Sequence, residues 1–229
     1  MNKIFISPSI LSANFAILGK EIMNVLKSGA DMIHFDVMDN HYVPNLTFGP
    51  IVLESIRKYQ ISAPIDVHIM AKPVDDLIPL FAKAGATFIT IHPESTYHLD
   101  RTLDIIKENG CKVGLAINPS LSVNVIDNVI DKLDLILLMS VNPGFAKQKF
   151  ILNTFKKILE IKKKINLIED KKIYISVDGG IKFRHVMPLL QAGVNILVMG
   201  SYIFNNIDSK IIIKKIKNEI KNFKNISVV

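Results

Sequence analysis

Short runs of β-branched and aliphatic residues alternate with longer helical patterns about eight times along the chain, and no other feature restricts its fold so strongly. The candidate strands are 4–10, 32–37, 65–70, 87–91, 112–117, 133–138, 173–177 and 196–198, with helices of ordinary length between them. Ser28-Gly29-Ala30, Lys83-Ala84-Gly85-Ala86, Asn109-Gly110 and Gln191-Ala192-Gly193 lie just before strands, where glycine ends a helix in a left-handed cap. Strand-then-helix units in series build a parallel sheet. Eight of them in 229 residues suit a closed (β/α)8 barrel, a TIM barrel, better than an open doubly wound sheet. With 49% hydrophobic residues a chain this long fills one large core, so residues 1–229 are expected to form a single barrel domain.

The formal charge of +7 raises the question of nucleic acid, which the location of the charge answers. Of 28 basic residues, nine lie between Lys147 and Lys172 and six between Lys210 and Lys224. Both stretches read as amphipathic helices, with Phe155, Ile158, Leu159 and Ile161 as the apolar stripe of the first and Ile211, Ile212, Ile216 and Ile220 of the second. The lysines are then solvated outer faces, and no aromatic residues interleave them, so no nucleic-acid partner is expected. Charge or proline interrupts every apolar stretch before the ~20 residues of a membrane span, and Met1-Asn2-Lys3 runs into a strand rather than a signal peptide. A cytoplasmic location follows as an expectation, consistent with Cys111 as the only cysteine, read as a small buried hydrophobe.

A barrel gathers its functional residues where strands end. Ser9, His34 with Asp36, His68 with Met70, Asn118, Met139 and Asp178 all stand at or just past the ends of candidate strands. The two-residue period of a strand points His34 and Asp36 to one side, and likewise Asp66 and His68. Asp66 is therefore expected to support His68 as an outer carboxylate. His34, Asp36, His68 and Asp178 converging in one mouth suit Zn²⁺, Fe²⁺, Co²⁺ or Mn²⁺, and the imidazoles argue against an all-magnesium site. The loop residue His41, His98 and His185 near helix starts, and His92 before Pro93 are read as structural or solvent-facing.

Val177-Asp178-Gly179-Gly180 and Gly200-Ser201 supply glycines where backbone N–H groups can approach a phosphate, after strands seven and eight. Taken alone, the glycine pair also fits a tight strand-to-helix turn. The loop from Ser140 to Gln148 is long and contains glycine, and could close over a ligand.

Ser7-Pro8-Ser9-Ile10-Leu11-Ser12-Ala13, Val37-Met38-Asp39-Asn40-His41-Tyr42-Val43-Pro44-Asn45, Asp66-Val67-His68-Ile69-Met70, Leu138-Met139-Ser140-Val141-Asn142-Pro143-Gly144-Phe145 and Val177-Asp178-Gly179-Gly180 together resemble the ribulose-phosphate 3-epimerase family, to about Asn206. The resemblance implies a (β/α)8 barrel of the ribulose-phosphate-binding type. Its activity would be the interconversion of D-ribulose 5-phosphate and D-xylulose 5-phosphate in the pentose phosphate pathway. It implies one divalent metal ion per subunit on His34, Asp36, His68 and Asp178, with Asp36 and Asp178 also the acid/base pair on either side of a metal-stabilised enediolate. Ser9, His68, Gly144, Phe145, Ala146, Lys147, Gly179, Gly180, Gly200 and Ser201 would hold the sugar phosphate. Met38, Met70 and Met139 would cover the reacting carbon, and the chain would assemble as a dimer or a larger assembly of dimers.

The chain departs from the family pattern chiefly at Ala146-Lys147, where the resemblance leads to Gly-Gly, and a positive φ there would strain a side chain by about 1 kcal/mol. Asn40 where glycine is common, Ser176 where an acid is common and Met199 where a small residue is common are milder departures. A 3-epimerase of a six-carbon ketose phosphate would share every catalytic residue. A phosphosugar decarboxylase is disfavoured because His68 stands where that reaction has lysine, and a noncatalytic binding barrel would have no use for both aspartates.

Overall fold

A computed structural model of the chain describes residues 3–168, 171–206 and 208–226, so Met1 and Asn2 lie outside the described residues. Eight strands, β1 (Phe5–Ser7), β2 (Ile33–Met38), β3 (Ile65–Met70), β4 (Phe88–Ile91), β5 (Lys112–Ile117), β6 (Leu135–Met139), β7 (Tyr174–Asp178) and β8 (Ile196–Val198), form one parallel sheet in the order β1-β8-β7-β6-β5-β4-β3-β2. A single parallel bridge between Ser9 and His34 closes the ring, helped by the His34 N–H donating to Pro8 O at 3.0 Å and the Asp31 N–H to Ile6 O at 3.0 Å. The (β/α)8 barrel expected from the alternation is the architecture found. Around it run α1 (Leu18–Lys27), α2 (Pro50–Lys58), α3 (Leu77–Lys83), α4 (Leu99–Glu108), α5 (Thr154–Ile165), α6 (Phe183–Ala192), the short α7 (Ser201–Phe204) and α8 (Ser209–Ile226). Gly29, Gly85, Gly110 and Gly193 all have positive φ, as the helix-ending role requires.

Strand parity sorts the interior into two layers. Ile33, Phe35, Val37, Ile65, Val67 and Ile69 point outward into the core shared with the helices. Phe88, Ala116, Leu135, Leu137, Ile196 and Val198 form a separate apolar plug inside the ring, and the polar inward residues of β2, β3 and β7 sit at its mouth. Most strand residues are buried whichever way they point, because helices cover the outside of the sheet and the plug fills its inside.

Three local expectations change. The first strand stops at Ser7 instead of reaching residue 10, because Pro8 has no N–H to give a neighbour, and a 3-10 turn at Ile10–Ser12 then leaves Ser9 in the mouth. Between β5 and β6 stand only 3-10 turns, Val123–Ile126 and Ile130–Lys132, rather than a helix. Valines alternate there with Asn124, Asp127, Asn128 and Asp131, whose side chains compete for backbone hydrogen bonds. The basic stretches hold shorter or shifted stripes: Ile158 and Ile161 are buried while Leu159 is exposed, and Ile213, Ile216 and Ile220 are buried while Ile211 is exposed. Consecutive helical residues are ~100° apart, so a stripe cannot keep both Ile158 and Leu159 inward.

The lysines are not all solvated either. Lys157 is buried, and its Nζ donates to Asn118 O at 2.8 Å and Leu121 O at 2.6 Å. It satisfies carbonyls that the missing helix leaves open. Cys111 is buried, with a free thiol. Among the described residues, no helix is long and apolar enough to cross a membrane.

Candidate active site

The register of β2 against β3 builds the centre of the mouth. His34 lies opposite Asp66 and Asp36 opposite His68, and β7 brings Asp178 toward them from across the ring. His34, Asp36, His68 and Asp178 each offer one ligand atom, and these atoms lie within 4.8 Å of one another. Asp36 Oδ1 is 3.3 Å from both His34 Nε2 and His68 Nδ1, and Asp178 Oδ2 is 3.9 Å from His34 Nε2. Both imidazoles are fully buried.

Asp66 supports His34, not His68 as its place on the same strand had suggested. Its Oδ2 lies 3.0 Å from His34 Nδ1, and its Oδ1 accepts from Thr90 Oγ1 at 2.6 Å. Residues two apart on a strand are ~6.6 Å apart, whereas the neighbouring strand is ~4.8 Å away. The chain of contacts extends one step further, since a Cβ on Gly114 would collide with Thr90 Oγ1. Glycine there makes room for the threonine that holds the aspartate that holds the histidine.

The two central carboxylates differ in protonation. Burial alone would raise Asp36, but His34 and His68 hold its carboxyl well below the usual carboxylate range. Asp178 is pushed up to about 7 by burial, with Asp36 and Asp66 adding to the rise and His34 opposing it. Burial pulls His34 down, yet Asp36 and Asp66 overcome it and leave the imidazole well above its ordinary value. His68 is lowered, first by burial. Asp36 is thus held ionised while Asp178 sits near its midpoint at neutral pH, unequal affinities for a proton that suit an acid/base pair.

The same residues fit a divalent cation. With Nδ1 on Asp66, His34 turns Nε2 toward two carboxylates, and that atom is buried without a hydrogen-bond partner. A lone pair facing carboxylate oxygens is repulsive unless a proton or cation lies between them. Once an ion has displaced their protons, two imidazoles and two carboxylates match a charge of +2 and borderline softness.

Asp36 and Asp178 open into a cavity that Met38, Met70 and Met139 also line. All three methionines are buried. Ser9 Oγ donates to Asp36 Oδ2 at 2.5 Å. The far wall contains Gly144, Phe145, Ala146, Lys147, Gly179, Gly180, Gly200 and Ser201, but not His68, which is fully buried.

Backbone geometry governs this wall. Gly179 and Gly180 have φ of 118° and 61°, and a Cβ on Gly180 would lie 2.7 Å from Gln148 O and 2.8 Å from Phe150 N. The pair is glycine for the turn and for the close passage of the loop after β6. Gly200 has negative φ, and its Cβ would meet Ser12 Oγ at 2.9 Å. Lys147 carries the positive φ, 65°, while Ala146 is not among the residues with positive φ, and Asn40 has φ 57°. Asn45 Nδ2 donates to Gly144 O at 2.7 Å, and Gln148 Nε2 to Asn142 O at 2.6 Å and Phe145 O at 2.9 Å. Nothing in the sequence beyond a polar side chain in a loop marks these two braces.

The other histidines divide. His41 and His98 are exposed. His185 accepts the Lys182 N–H at 3.1 Å and caps α6. His92 is neither solvent-facing nor remote: it is fully buried, with Nε2 2.8 Å from His68 Nε2. Asn118 lies beside the mouth, donating to Tyr42 OH and Glu94.

Paired carboxylates, reached from separate strands at the C-terminal mouth of a (β/α)8 barrel, form an arrangement suited to proton transfer. The profile of the ribulose-phosphate 3 epimerase family matches residues 5–204. The chain is 57% identical over 221 residues to ribulose-phosphate 3-epimerase of Buchnera aphidicola subsp. Acyrthosiphon pisum, covering 96% of each chain. It is 53% identical over 220 residues to the Escherichia coli K12 enzyme of the same name, covering 96% of this chain and 97% of the other. Among solved structures, KGPDC from Streptococcus mutans superposes with a TM-score of 0.70 at 14% identity, covering 97% of this chain and 99% of that one, a likeness of fold. The chain belongs to the ribulose-phosphate 3-epimerase family and is an isomerase of the epimerase class.

Proposed function

We propose that the chain interconverts D-ribulose 5-phosphate and D-xylulose 5-phosphate, inverting C3 by two-base proton transfer, as a cytoplasmic enzyme of the pentose phosphate pathway. The observation that carries this reading is the unequal pair Asp36 and Asp178 facing one cavity. Inversion beside a ketone removes a proton from one face and returns one to the other. Ionised Asp36 takes the C3 proton, giving an enediolate, and protonated Asp178 delivers its proton to the opposite face. For the reverse substrate the roles exchange. β2 and β7 are separated around the ring by β1 and β8, which lets the two acids approach from different sides.

The remaining residues hold and shelter the substrate. Ser9 fixes the Asp36 oxygen that it bonds, Met38, Met70 and Met139 limit water at the reacting carbon, and the glycine loops receive the phosphate through backbone N–H groups. Lys147 adds a positive charge on the phosphate side. His34, Asp36, His68 and Asp178 would hold one divalent ion, Zn²⁺, Fe²⁺, Co²⁺ or Mn²⁺. When bound, that ion supplies Lewis-acid stabilisation of the negative charge that develops on the substrate's oxygen.

The test is production of xylulose 5-phosphate from ribulose 5-phosphate by purified protein, before and after chelation and with metal restored. Asp36→Asn is expected to lower kcat by about 10²- to 10⁴-fold, and turnover near that of the parent would overturn the mechanism.

A further inference from the structure

We propose that His92 is a positioning residue for His68, taking a hydrogen bond from His68 Nε2 so that His68 presents an unprotonated Nδ1 to the central cluster. The inference rests on the metal reading above and deepens it. His68 has two ring nitrogens and two neighbours: Nδ1 lies 3.3 Å from Asp36 Oδ1, and Nε2 lies 2.8 Å from His92 Nε2. The nitrogen on the cluster side is therefore Nδ1. A neutral imidazole carries one proton, and which nitrogen carries it follows from the partner of the other.

With the proton on Nε2, donated to His92, Nδ1 offers its lone pair. His92 then carries its own proton on Nδ1, a buried atom with no hydrogen-bond partner among the described residues, a cost that ligation at His68 Nδ1 must offset. With the proton on His68 Nδ1, it stands between His68 and Asp36 and blocks ligation. Without an acceptor at residue 92, the first arrangement would bury an unpaired N–H, which is disfavoured, and the second would prevail.

The fold gives His92 little freedom to do anything else. Ser95 binds its carbonyl through both N–H (3.1 Å) and Oγ (2.6 Å), and the following Pro93 keeps it extended, at φ −91° and ψ 142°. Its ring lies between His68 and Tyr42, with centroids 5.0 and 5.1 Å away, and Asn118 anchors the Tyr42 hydroxyl at 2.9 Å. β4 and its end thereby back both histidines of the cluster, Thr90 through Asp66 to His34 and His92 directly to His68.

Cobalt titration of the purified full chain tests this, read by visible absorption and by competition with a chelator, with melting of the metal-free protein measured alongside. His92→Phe keeps a ring between His68 and Tyr42 but removes the acceptor, and His92→Gln restores one. The expected result is about tenfold or greater loss of cobalt affinity in His92→Phe, recovery toward the parent in His92→Gln, and little separation of the metal-free melting temperatures. Parent affinity in His92→Phe, or equal losses in both variants, would overturn the assignment. Should His92→Phe not fold, His92→Met takes its place under the same criteria. A parent chain that takes up no cobalt would overturn the metal reading and this inference together, whereas a parent that binds it with an indifferent His92→Phe sinks the inference alone.

Discussion

The two sides of the barrel mouth are built by opposite means. Toward β2, β3 and β4 the site consists of side chains on strands, each held by the next: Gly114 admits Thr90, Thr90 holds Asp66, Asp66 holds His34. Toward the loops after β6, β7 and β8 it consists of backbone, shaped by positive φ at Gly144, Gly179 and Gly180 and by spaces that no Cβ could enter. The strand side is buried and fixed by the sheet register, so a change of one atom there propagates along the chain of bonds. The loop side is partly exposed and shaped by main-chain geometry, so side chains can vary wherever φ permits. The chain's main departures from the family pattern, Ala146 and Lys147, fall on that side.

Among tests of this contrast, the largest expected effect breaks the strand side. Asp66→Asn keeps shape but replaces a charged acceptor with an amide, and both metal affinity and turnover should fall about 10- to 100-fold, measured by cobalt titration and by the epimerase assay. Unchanged affinity would mean that His34 needs no outer carboxylate.

Gly180→Ala puts the contrast to the loop side. The new methyl would meet Gln148 O at 2.7 Å with φ at 61°, so the loop must move. KM should rise about tenfold and stability fall by about 1–3 kcal/mol, with metal affinity unchanged. A loss of metal affinity in this variant would show that the two sides are not independent.

A third test concerns pH and the metal-free protein. The folded pKa of Asp178, about 7, is above the unfolded value of about 3.9, so the folded state binds more protons between them. Stability from this group is present at low pH and is lost as pH rises through about 7. The melting temperature of Asp178→Asn relative to the chelated parent should therefore climb from about pH 5 to pH 8 and then level off. A flat difference would deny the acid its raised pKa.

The smallest effect sharpens the comparison at Lys147. Lys147→Gly relieves the positive φ, ~1 kcal/mol of strain, but glycine gives back ~0.5–1 kcal/mol as chain entropy, so the melting temperature should barely change. Removal of an exposed cation near phosphate should raise KM for ribulose 5-phosphate two- to fivefold, ~0.4–1 kcal/mol. An unchanged or lower KM would leave Lys147 without a role in binding.

Much of the site was legible because strand parity is local. That His34 and Asp36 face inward, with Met38, follows from a two-residue period, and so does the inward placing of His68 and Met70. Asp66 was assigned to the wrong histidine because parity says which face a side chain takes but not which neighbour stands opposite. His92, read as structural or solvent-facing, escaped assignment for the same reason: it ends the fourth strand before Pro93, and only the adjacency of β4 to β3 places it against His68. Leu159 and Ile211 mark the limit in helices, where an apolar residue at a plausible spacing can still fall outside the stripe that packs.

The sequence by itself determined the eightfold strand–helix rhythm, the glycine-ended helices and the inward parity of the polar residues, all of which depend on contacts within a few residues of chain. Tertiary structure alone decided that Asp66 lies against His34, that His92 lies against His68, and that the Asp36 carboxyl is held low while that of Asp178 is pushed up to about 7. Those outcomes depend on the register between strands distant in sequence and on the burial that their closure creates, and neither quantity is written in any local pattern.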